Sequence, residues 1–126
     1  MSYARTQPPV LFVEDDPTLL HMFSIMLRRF GIDIDTANSF ASARDYLEAN
    51  EISGLITDHH LGDGNGFALA EFALRQNPSL RVAIVSGGTL DIPPSLQGRI
   101  TLLQKPFSQD ELRIFLQDFP RAIRPA

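Results

Sequence analysis

The chain has 126 residues, of which 44% are hydrophobic and 21% charged, and its net charge of −4 comes without any run of basic residues. This length suits one domain with a single core, and the charge gives no electrostatic support for nucleic-acid binding. The absence of cysteine excludes disulfides and thiolate metal sites. Because the sequence shows neither an apolar run of about 18 residues nor the apolar core of a signal peptide, we expect a cytoplasmic protein without membrane contact.

The first half of the chain alternates strand and helix patterns. Residues 10–13, VLFV, form an apolar run typical of a strand buried on both faces. Asp16 suits the cap of a helix, apolar residues then recur at helical spacing, and Gly31 ends the segment. Residues 32–37 alternate like a strand, and residues 39–50 have a helical pattern.

The same alternation continues in the middle of the chain. A predicted strand over residues 54–57 runs into Asp58, and a glycine-punctuated loop follows over residues 59–66. A helix is predicted over residues 67–76. Residues 81–85 then predict another buried strand.

The last third contains one irregular segment. Residues 86–99 hold two adjacent prolines and three glycines, so we expect at most one or two helical turns there. Residues 100–103 predict the final strand. Ser108 and Glu111 form an S-x-x-E capping box for a helix that reaches about Phe119.

Five strands alternating with helices predict an α/β fold. The expected architecture is a doubly wound five-stranded parallel sheet with right-handed crossovers and a shortened or irregular fourth helix. We expect an N-terminal tail over residues 1–8 and the folded domain over residues 9–119. Residues 120–126 are expected to form a tail or the start of a linker.

Polar side chains follow four of the predicted strands. In open α/β sheets, ligands bind outside the carboxyl ends of the strands. The side chains expected at that edge are Glu14, Asp15, Asp58, Ser86 and Lys105. Carboxylates packed together repel, and each has its pKa raised unless a cation intervenes. A hard dication such as Mg²⁺, which prefers oxygen ligands, would relieve that repulsion.

Each of these residues also has a simpler interpretation. Asp15 and Asp16 would suit helix-capping acids, and Asp58 a turn residue. Ser86 would suit the start of a glycine-rich loop, and Lys105 a solvated charge. Chance would seldom place the whole set at consecutive strand ends, and this favours a functional site.

Four motifs, in order along the chain, carry a family resemblance: VLFVEDDP, LITDHHLGDGNGF, VAIVSGG and LLQKPF. With them the chain resembles a response-regulator receiver domain over residues 9–119. The resemblance implies sheet order 2-1-3-4-5 and a phosphoacceptor of a two-component phosphorelay that signals by conformational change. Its only chemistry would be self-catalysed phosphorylation and dephosphorylation. The implied partners are a sensor histidine kinase or histidine phosphotransfer protein and an unknown downstream protein.

The resemblance also implies a metal site. Asp58 matches the family's phosphoacceptor, which takes the phosphoryl group as an aspartyl phosphate. Asp15 would bind Mg²⁺ or Mn²⁺ directly, and Glu14 would bind it through water. Asp58 and the main-chain carbonyl of His60 would supply the remaining protein ligands.

Other residues match the family's phosphoryl contacts. Ser86 would donate its hydroxyl to a phosphoryl oxygen, and the N–H groups of His59 and Gly87 would complete the pocket. Lys105, the only lysine beside ten arginines, would pair with Asp58 and then with the phosphoryl group. Such a point charge can exchange partners more readily than a planar arginine fork. The family's lysine–proline bond is commonly cis.

The chain departs from the family at three positions. Leu102 stands where receivers usually carry an aromatic switch residue, three positions before the lysine. Gly62 replaces a usual proline, and His60 occupies the second position after the acceptor, where side chains affect water access. Leu102 and the short segment 86–99 suggest retained chemistry with an atypical signal readout, whereas His60 would affect the lifetime of the phosphorylated state.

Three other functions fit less well. A phosphohydrolase of the haloacid dehalogenase superfamily has its nucleophilic aspartate first and its acidic pair last, and has a second aspartate where His60 stands. A flavodoxin-type carrier would not place acids after the first strand, because they would repel phosphate. A calcium-binding EF-hand loop would need a ligand at Gly62 and a glutamate at Leu69.

The length of the chain leaves two contexts open. One is a single-domain regulator that acts through protein contacts, with a homodimer as one possible form. The other is a receiver module excised from a hybrid histidine kinase or a longer regulator.

Overall fold

The structure is a computed structural model that describes residues 7–106, 108–117 and 119. Its strands are β1 (Val10–Val13), β2 (Ile34–Ala37), β3 (Gly54–Asp58), β4 (His60–Leu61), β5 (Gly64–Asn65), β6 (Arg81–Ser86) and β7 (Thr101–Gln104). Its α-helices are α1 (Pro17–Arg29), α2 (Phe40–Ala49), α3 (Gly66–Gln76) and α4 (Gln109–Leu116). A 3₁₀ turn spans Pro94–Leu96.

The five longer strands form one parallel sheet in the order β2-β1-β3-β6-β7. Numbered among themselves, they have the predicted order 2-1-3-4-5, so the expected doubly wound sheet is confirmed. The strand β1 lies between β2 and β3, and its register pairs Val10 with both Ile34 and Gly54. A sheet of this kind is covered by helices on both faces, which explains why the inner strands β1, β3 and β6 are largely apolar runs without alternation.

The two faces of β1 contribute to separate halves of the core. Leu11 and Val13 pack into a cluster with residues of α2, α3 and the 3₁₀ turn. Val10 and Phe12 pack into a second cluster with residues of α1 and α4. All four β1 side chains are buried, because successive side chains of a strand point to opposite faces and both faces are covered here.

The helices begin where capping side chains predict. The Asp16 carboxylate accepts the N–H groups of Thr18 and Leu19, at 2.9 and 3.2 Å, at the start of α1. Gly31 follows that helix with a φ of 82°, a conformation that glycine adopts without strain. At the start of α4, the Ser108 hydroxyl accepts the N–H of Glu111 at 3.0 Å.

Several element boundaries differ from the predictions. The loop over residues 59–66 contains a two-stranded hairpin, β4 with β5, which is too short to give a sequence pattern. The final helix α4 ends at Leu116 rather than near Phe119. The ring of Phe119 is nevertheless buried and packs beside Phe115.

The segment over residues 86–99 has the irregular form that its prolines predict. Its only helical element among the described residues is the turn Pro94–Leu96. Pro93 precedes that turn with an extended backbone, at a ψ of 148°. Leu96 is completely buried, and the partly buried Leu90 and Ile92 pack against the same core cluster, so apolar side chains hold the segment in place without a longer helix.

Gly66 allows the N-terminus of α3 to approach the end of β3. A Cβ atom at this position would lie 2.6 Å from the main-chain carbonyl oxygen of Asp58. That contact is too short for any carbon atom, and the carbonyl belongs to a central strand that cannot move freely. Gly88, in contrast, has no atom within 4 Å of the position a Cβ would take.

We therefore expect Gly66→Ala to lower the free energy of unfolding by about 1–3 kcal/mol, the usual cost of overpacking. The measurement is urea denaturation of the wild type and the variant. Gly88→Ala is the matched control and should change stability little. Equal stability of the two variants would show that the approach of α3 to β3 is not constrained by Gly66.

Candidate functional site

The carboxyl ends of four neighbouring strands bring the predicted polar residues to one edge of the sheet. Glu14 and Asp15 directly follow β1, and Asp58 is the last residue of β3. Ser86 is the last residue of β6, and Lys105 directly follows β7. Because the four strands are adjacent and parallel, these residues lie together.

The three carboxylates form a compact cluster. Glu14, Asp15 and Asp58 each offer an oxygen atom, and these atoms lie within 4.8 Å of one another. Glu14 is only 4% exposed, Asp58 is half-buried and Asp15 is exposed. Oxygen donors of this kind, arranged around one point, fit a hard divalent cation.

The raised pKa of Glu14 shows that a buried carboxylate beside other carboxylates is unfavourable in its ionised form. The pKa of the Glu14 carboxyl is raised to about 7, first by burial and then by the charge of Asp58 and a hydrogen bond to it. The charge of Asp15 contributes in the same direction, and the ammonium of Lys105 opposes part of the increase. A cation bound among the carboxylates would favour the ionised form of Glu14.

Lys105 pairs with the carboxylate of Asp58. Its Nζ atom lies 3.7 Å from Asp58 Oδ1, and its backbone N–H donates to the Ser86 carbonyl at 2.6 Å. The bond from Lys105 to Pro106 is cis. The backbone bond ties the end of β7 to the end of β6 and so places the lysine beside the acidic cluster.

The residues that follow Asp58 have different environments. The N–H of His59 donates to Asp58 Oδ1 at 3.1 Å and to the Val85 carbonyl at 2.9 Å. Its imidazole packs edge-on against Phe67, with 5.0 Å between ring centroids. His60 is exposed, and its backbone pairs with Asn65 in the hairpin.

Ser86 is near the cluster, but its hydroxyl is bound to its own loop. The Oγ atom donates to the Gly88 carbonyl at 2.8 Å and accepts the Gly88 N–H at 3.1 Å. Gly87, between them, is exposed. Leu102 is half-buried against the core cluster that contains Leu96, so it belongs to the hydrophobic core on the side of α3.

Sequence reasoning did not find two contacts of the hairpin. The N–H of Gly62 donates to Asp15 Oδ2 at 3.0 Å. The Asp63 carboxylate accepts the N–H groups of Ala41 and Phe40, and these bonds hold the pKa of Asp63 below its usual range. The only signal in the sequence is an aspartate between two glycines, which is common in loops of many kinds.

Comparison with known proteins decides the family. The family model of the response regulator receiver domain matches residues 10–117. The chain belongs to this family. Receiver domains are the signalling phosphoacceptors of two-component systems rather than classical enzymes, and they interact with sensor kinases and downstream effectors.

The relatives include full-length regulators and isolated receivers. Response regulator protein PilR of Pseudomonas aeruginosa is 30% identical over 106 residues, which are 82% of this chain and 24% of PilR. A receiver domain from Clostridium thermocellum is 26% identical with a TM-score of 0.77, covering 88% of this chain and 92% of that one. TrrA from Thermotoga maritima, solved with Mg²⁺ and BeF, has a TM-score of 0.79 at 19% identity over 88% of this chain and 97% of its own.

This receiver spans about a quarter of the length of the curated regulators that it matches first. Across the part of the chain that the structure describes, no helix is both long and apolar enough to cross a membrane.

The raised pKa of Glu14 predicts how stability depends on pH without added metal. A carboxyl whose pKa rises from 4.5 unfolded to about 7 folded stabilises the fold only while it is protonated, so its contribution is lost as pH rises from about 4.5 to about 7. Between those limits, we expect wild-type stability to fall relative to Glu14→Gln, by at most roughly 3 kcal/mol. Urea unfolding across this range measures the difference, and parallel pH profiles would contradict it.

Proposed function

We propose that this receiver accepts a phosphoryl group on Asp58 from the phosphohistidine of a sensor histidine kinase or histidine phosphotransfer protein. The observation that carries the proposal is the ion pair between Asp58 and Lys105 beside the carboxylates of Glu14 and Asp15. A nucleophilic carboxylate, a mobile cationic side chain and oxygen ligands for a metal are what phosphoryl transfer to aspartate requires.

In the transfer, a carboxylate oxygen of Asp58 forms a bond to phosphorus. The phosphorus–nitrogen bond to the donor imidazole breaks, and its electron pair returns to the ring. The His59 N–H already donates to Asp58 Oδ1, which holds the carboxylate in orientation. An in-line approach of the donor then needs little further reorganisation of Asp58.

The metal ligands in this proposal are Glu14, Asp15, Asp58 and the main-chain carbonyl of His60. When bound, Mg²⁺ or Mn²⁺ would supply positive charge that offsets the charge of the phosphoryl oxygens. The cluster of oxygen atoms supports this choice, and TrrA, a receiver with the same fold, was solved with Mg²⁺ and BeF.

The remaining contacts form around the phosphoryl group. Lys105 would leave Asp58 and pair with a phosphoryl oxygen, and the N–H groups of His59 and Gly87 would donate to others. Ser86 would have to break both of its bonds to Gly88 before its hydroxyl could reach the same group.

The signal readout in this proposal is atypical. Leu102 cannot change hydrogen bonds as an aromatic phenol would, and the segment over residues 86–99 has only one short helical turn. We propose that the rearrangement passes from Ser86 into this segment and from there to an unidentified protein partner, with a homodimer as one possible form.

We further propose that the functional unit is cytoplasmic and spans residues 9–119. It would serve either as a single-domain regulator or as the receiver module of a longer regulator. The chain matches only about a quarter of the length of the regulators it resembles. This supports a role as the receiver module of a longer regulator.

The first test is intact-protein mass after incubation with acetyl phosphate and Mg²⁺. We expect one phosphoryl addition of about 80 Da, which EDTA and Asp58→Asn each abolish. Asp45→Asn, which removes the same charge from the exposed face of α2, should retain the addition. Beryllofluoride binding, followed by NMR, detects a competent site even if the acyl phosphate is short-lived. Failure of both assays in the wild type would contradict the proposed function.

Substitutions of Lys105 provide a second test, which asks whether the positive charge alone or also the shape of the side chain is needed for phosphorylation. Lys105→Ala should slow phosphorylation by about 100-fold, the usual effect of losing one group that stabilises transition-state charge. Lys105→Arg keeps the charge, but its planar fork demands bidentate geometry, so it should recover only part of the rate. Rates come from the mass assay over time. Full recovery in Lys105→Arg would show that charge alone is sufficient.

A further inference from the structure

The β4–β5 hairpin, residues 60–65, is attached to the N-terminus of α2 by one side chain. The Asp63 carboxylate accepts the N–H of Phe40 on Oδ1 at 2.7 Å and the N–H of Ala41 on Oδ2 at 3.0 Å. These residues are more than twenty positions apart in sequence. A carboxylate is well suited to this place, because the N-terminus of a helix carries partial positive charge and charge-assisted bonds are strong.

Asp63 completes the capping of α2. The first four N–H groups of a helix have no partner within the helix. In α2 these groups belong to Ser39, the cap residue, and to the three residues after it. The N–H groups of Ser39 and Ser42 each donate to the other's hydroxyl, and those of Phe40 and Ala41 donate to Asp63. The N-terminus of α2 is therefore saturated only when the hairpin is in place.

Van der Waals contact strengthens the same attachment. A Cβ atom at Gly64 would lie 2.8 Å from the ring of Phe40, so the hairpin backbone rests directly on that side chain. Leu61, on the paired strand, is buried in the core. The hairpin is held on α2 by both hydrogen bonds and packing.

The other side of the hairpin reaches the carboxylate cluster. Gly62, the neighbour of Asp63, donates its N–H to Asp15 Oδ2 at 3.0 Å. Asp15 is exposed, and an exposed carboxylate that is free to rotate must lose that freedom when it binds an ion. The hydrogen bond from the Gly62 N–H already restricts the Asp15 carboxylate, so less conformational freedom remains to be lost when an ion binds.

We propose that Asp63 is a positioning residue for the divalent-cation site. By holding the hairpin on α2, it keeps the Gly62 N–H where it orients the Asp15 carboxylate. The inference rests on the proposed function, since it assumes that Asp15 binds the cation. Asp63 itself touches neither the cation nor the phosphoryl group in this scheme.

The test uses Mg²⁺ titrations of the whole chain followed by amide NMR. Asp63→Ala should weaken Mg²⁺ binding by about threefold to tenfold, because Asp15 must then be ordered as the ion binds. It should also speed hydrogen exchange at the Gly62 amide, a readout that needs no metal. Asp63→Asn keeps one acceptor oxygen for two N–H donors, so its affinity and exchange rate should lie between those of the wild type and Asp63→Ala.

Two variants of α2 serve as controls. Tyr46→Phe removes the bond from the Tyr46 hydroxyl to Asp35 and so loosens the attachment of α2 to the sheet away from the hairpin. Asp45→Ala removes an exposed charge from the same helix. Both should bind Mg²⁺ within about twofold of the wild type, because neither changes the ordering of Asp15, and leave Gly62 exchange unchanged.

The outcomes separate the two proposals. If Asp63→Ala lowers Tm but leaves Mg²⁺ affinity and Gly62 exchange as in the wild type, Asp63 only caps a helix and the inference is wrong. If Tyr46→Phe weakens Mg²⁺ binding as much as Asp63→Ala, general loosening of α2 is the cause and the inference is again wrong. A wild type with no saturable Mg²⁺ response overturns the proposed function, and the positioning role with it.

Discussion

Repulsion among three carboxylates at one edge of the sheet is the constraint around which this domain is organised. Burial and neighbouring charge raise the pKa of Glu14 to about 7, and the ammonium of Lys105 offsets only part of that repulsion. The cluster lies at the end of a central sheet that packs into a hydrophobic core on each face. Binding of a cation would therefore lower the electrostatic repulsion among the carboxylates. This property suits a phosphoacceptor that requires a cation.

The connections after β3 and β6 set the geometry of the site in contrasting ways. After β3, Asp63 attaches the hairpin to α2 and Gly62 attaches it to Asp15, while Gly66 at the start of α3 lies close to the end of β3. After β6, the hydroxyl of Ser86 is bound only within its own loop, and Gly88 has open space around it. The half of the site that we propose to hold the cation is thus prearranged, whereas the half that would contact the phosphoryl group has room to rearrange.

This receiver lacks two features that the family pattern associates with conformational signalling, an aromatic residue at position 102 and a full helix in the described segment between β6 and β7. Leu102 packs against the core cluster that contains Leu96, and the segment between β6 and β7 has one 3₁₀ turn among its described residues. A hydrophobic side chain at this place responds to changes in packing rather than to hydrogen bonds. We therefore expect any rearrangement of Ser86 to reach the segment over residues 86–99 through the backbone and through the packing of Leu96.

Sequence patterns alone predict the order of the elements, the parallel sheet and the placement of Glu14, Asp15, Asp58 and Lys105 at one edge. Those properties follow from local patterns: apolar runs, capping residues such as Asp16, and polar residues at strand ends. The direction of the Ser86 hydroxyl and the attachments of the hairpin, in contrast, are seen only in the folded molecule. The contacts of Asp63 with α2 join residues more than twenty positions apart, and hydrogen bonds between distant segments leave no periodic trace in a sequence because they depend on how the elements pack.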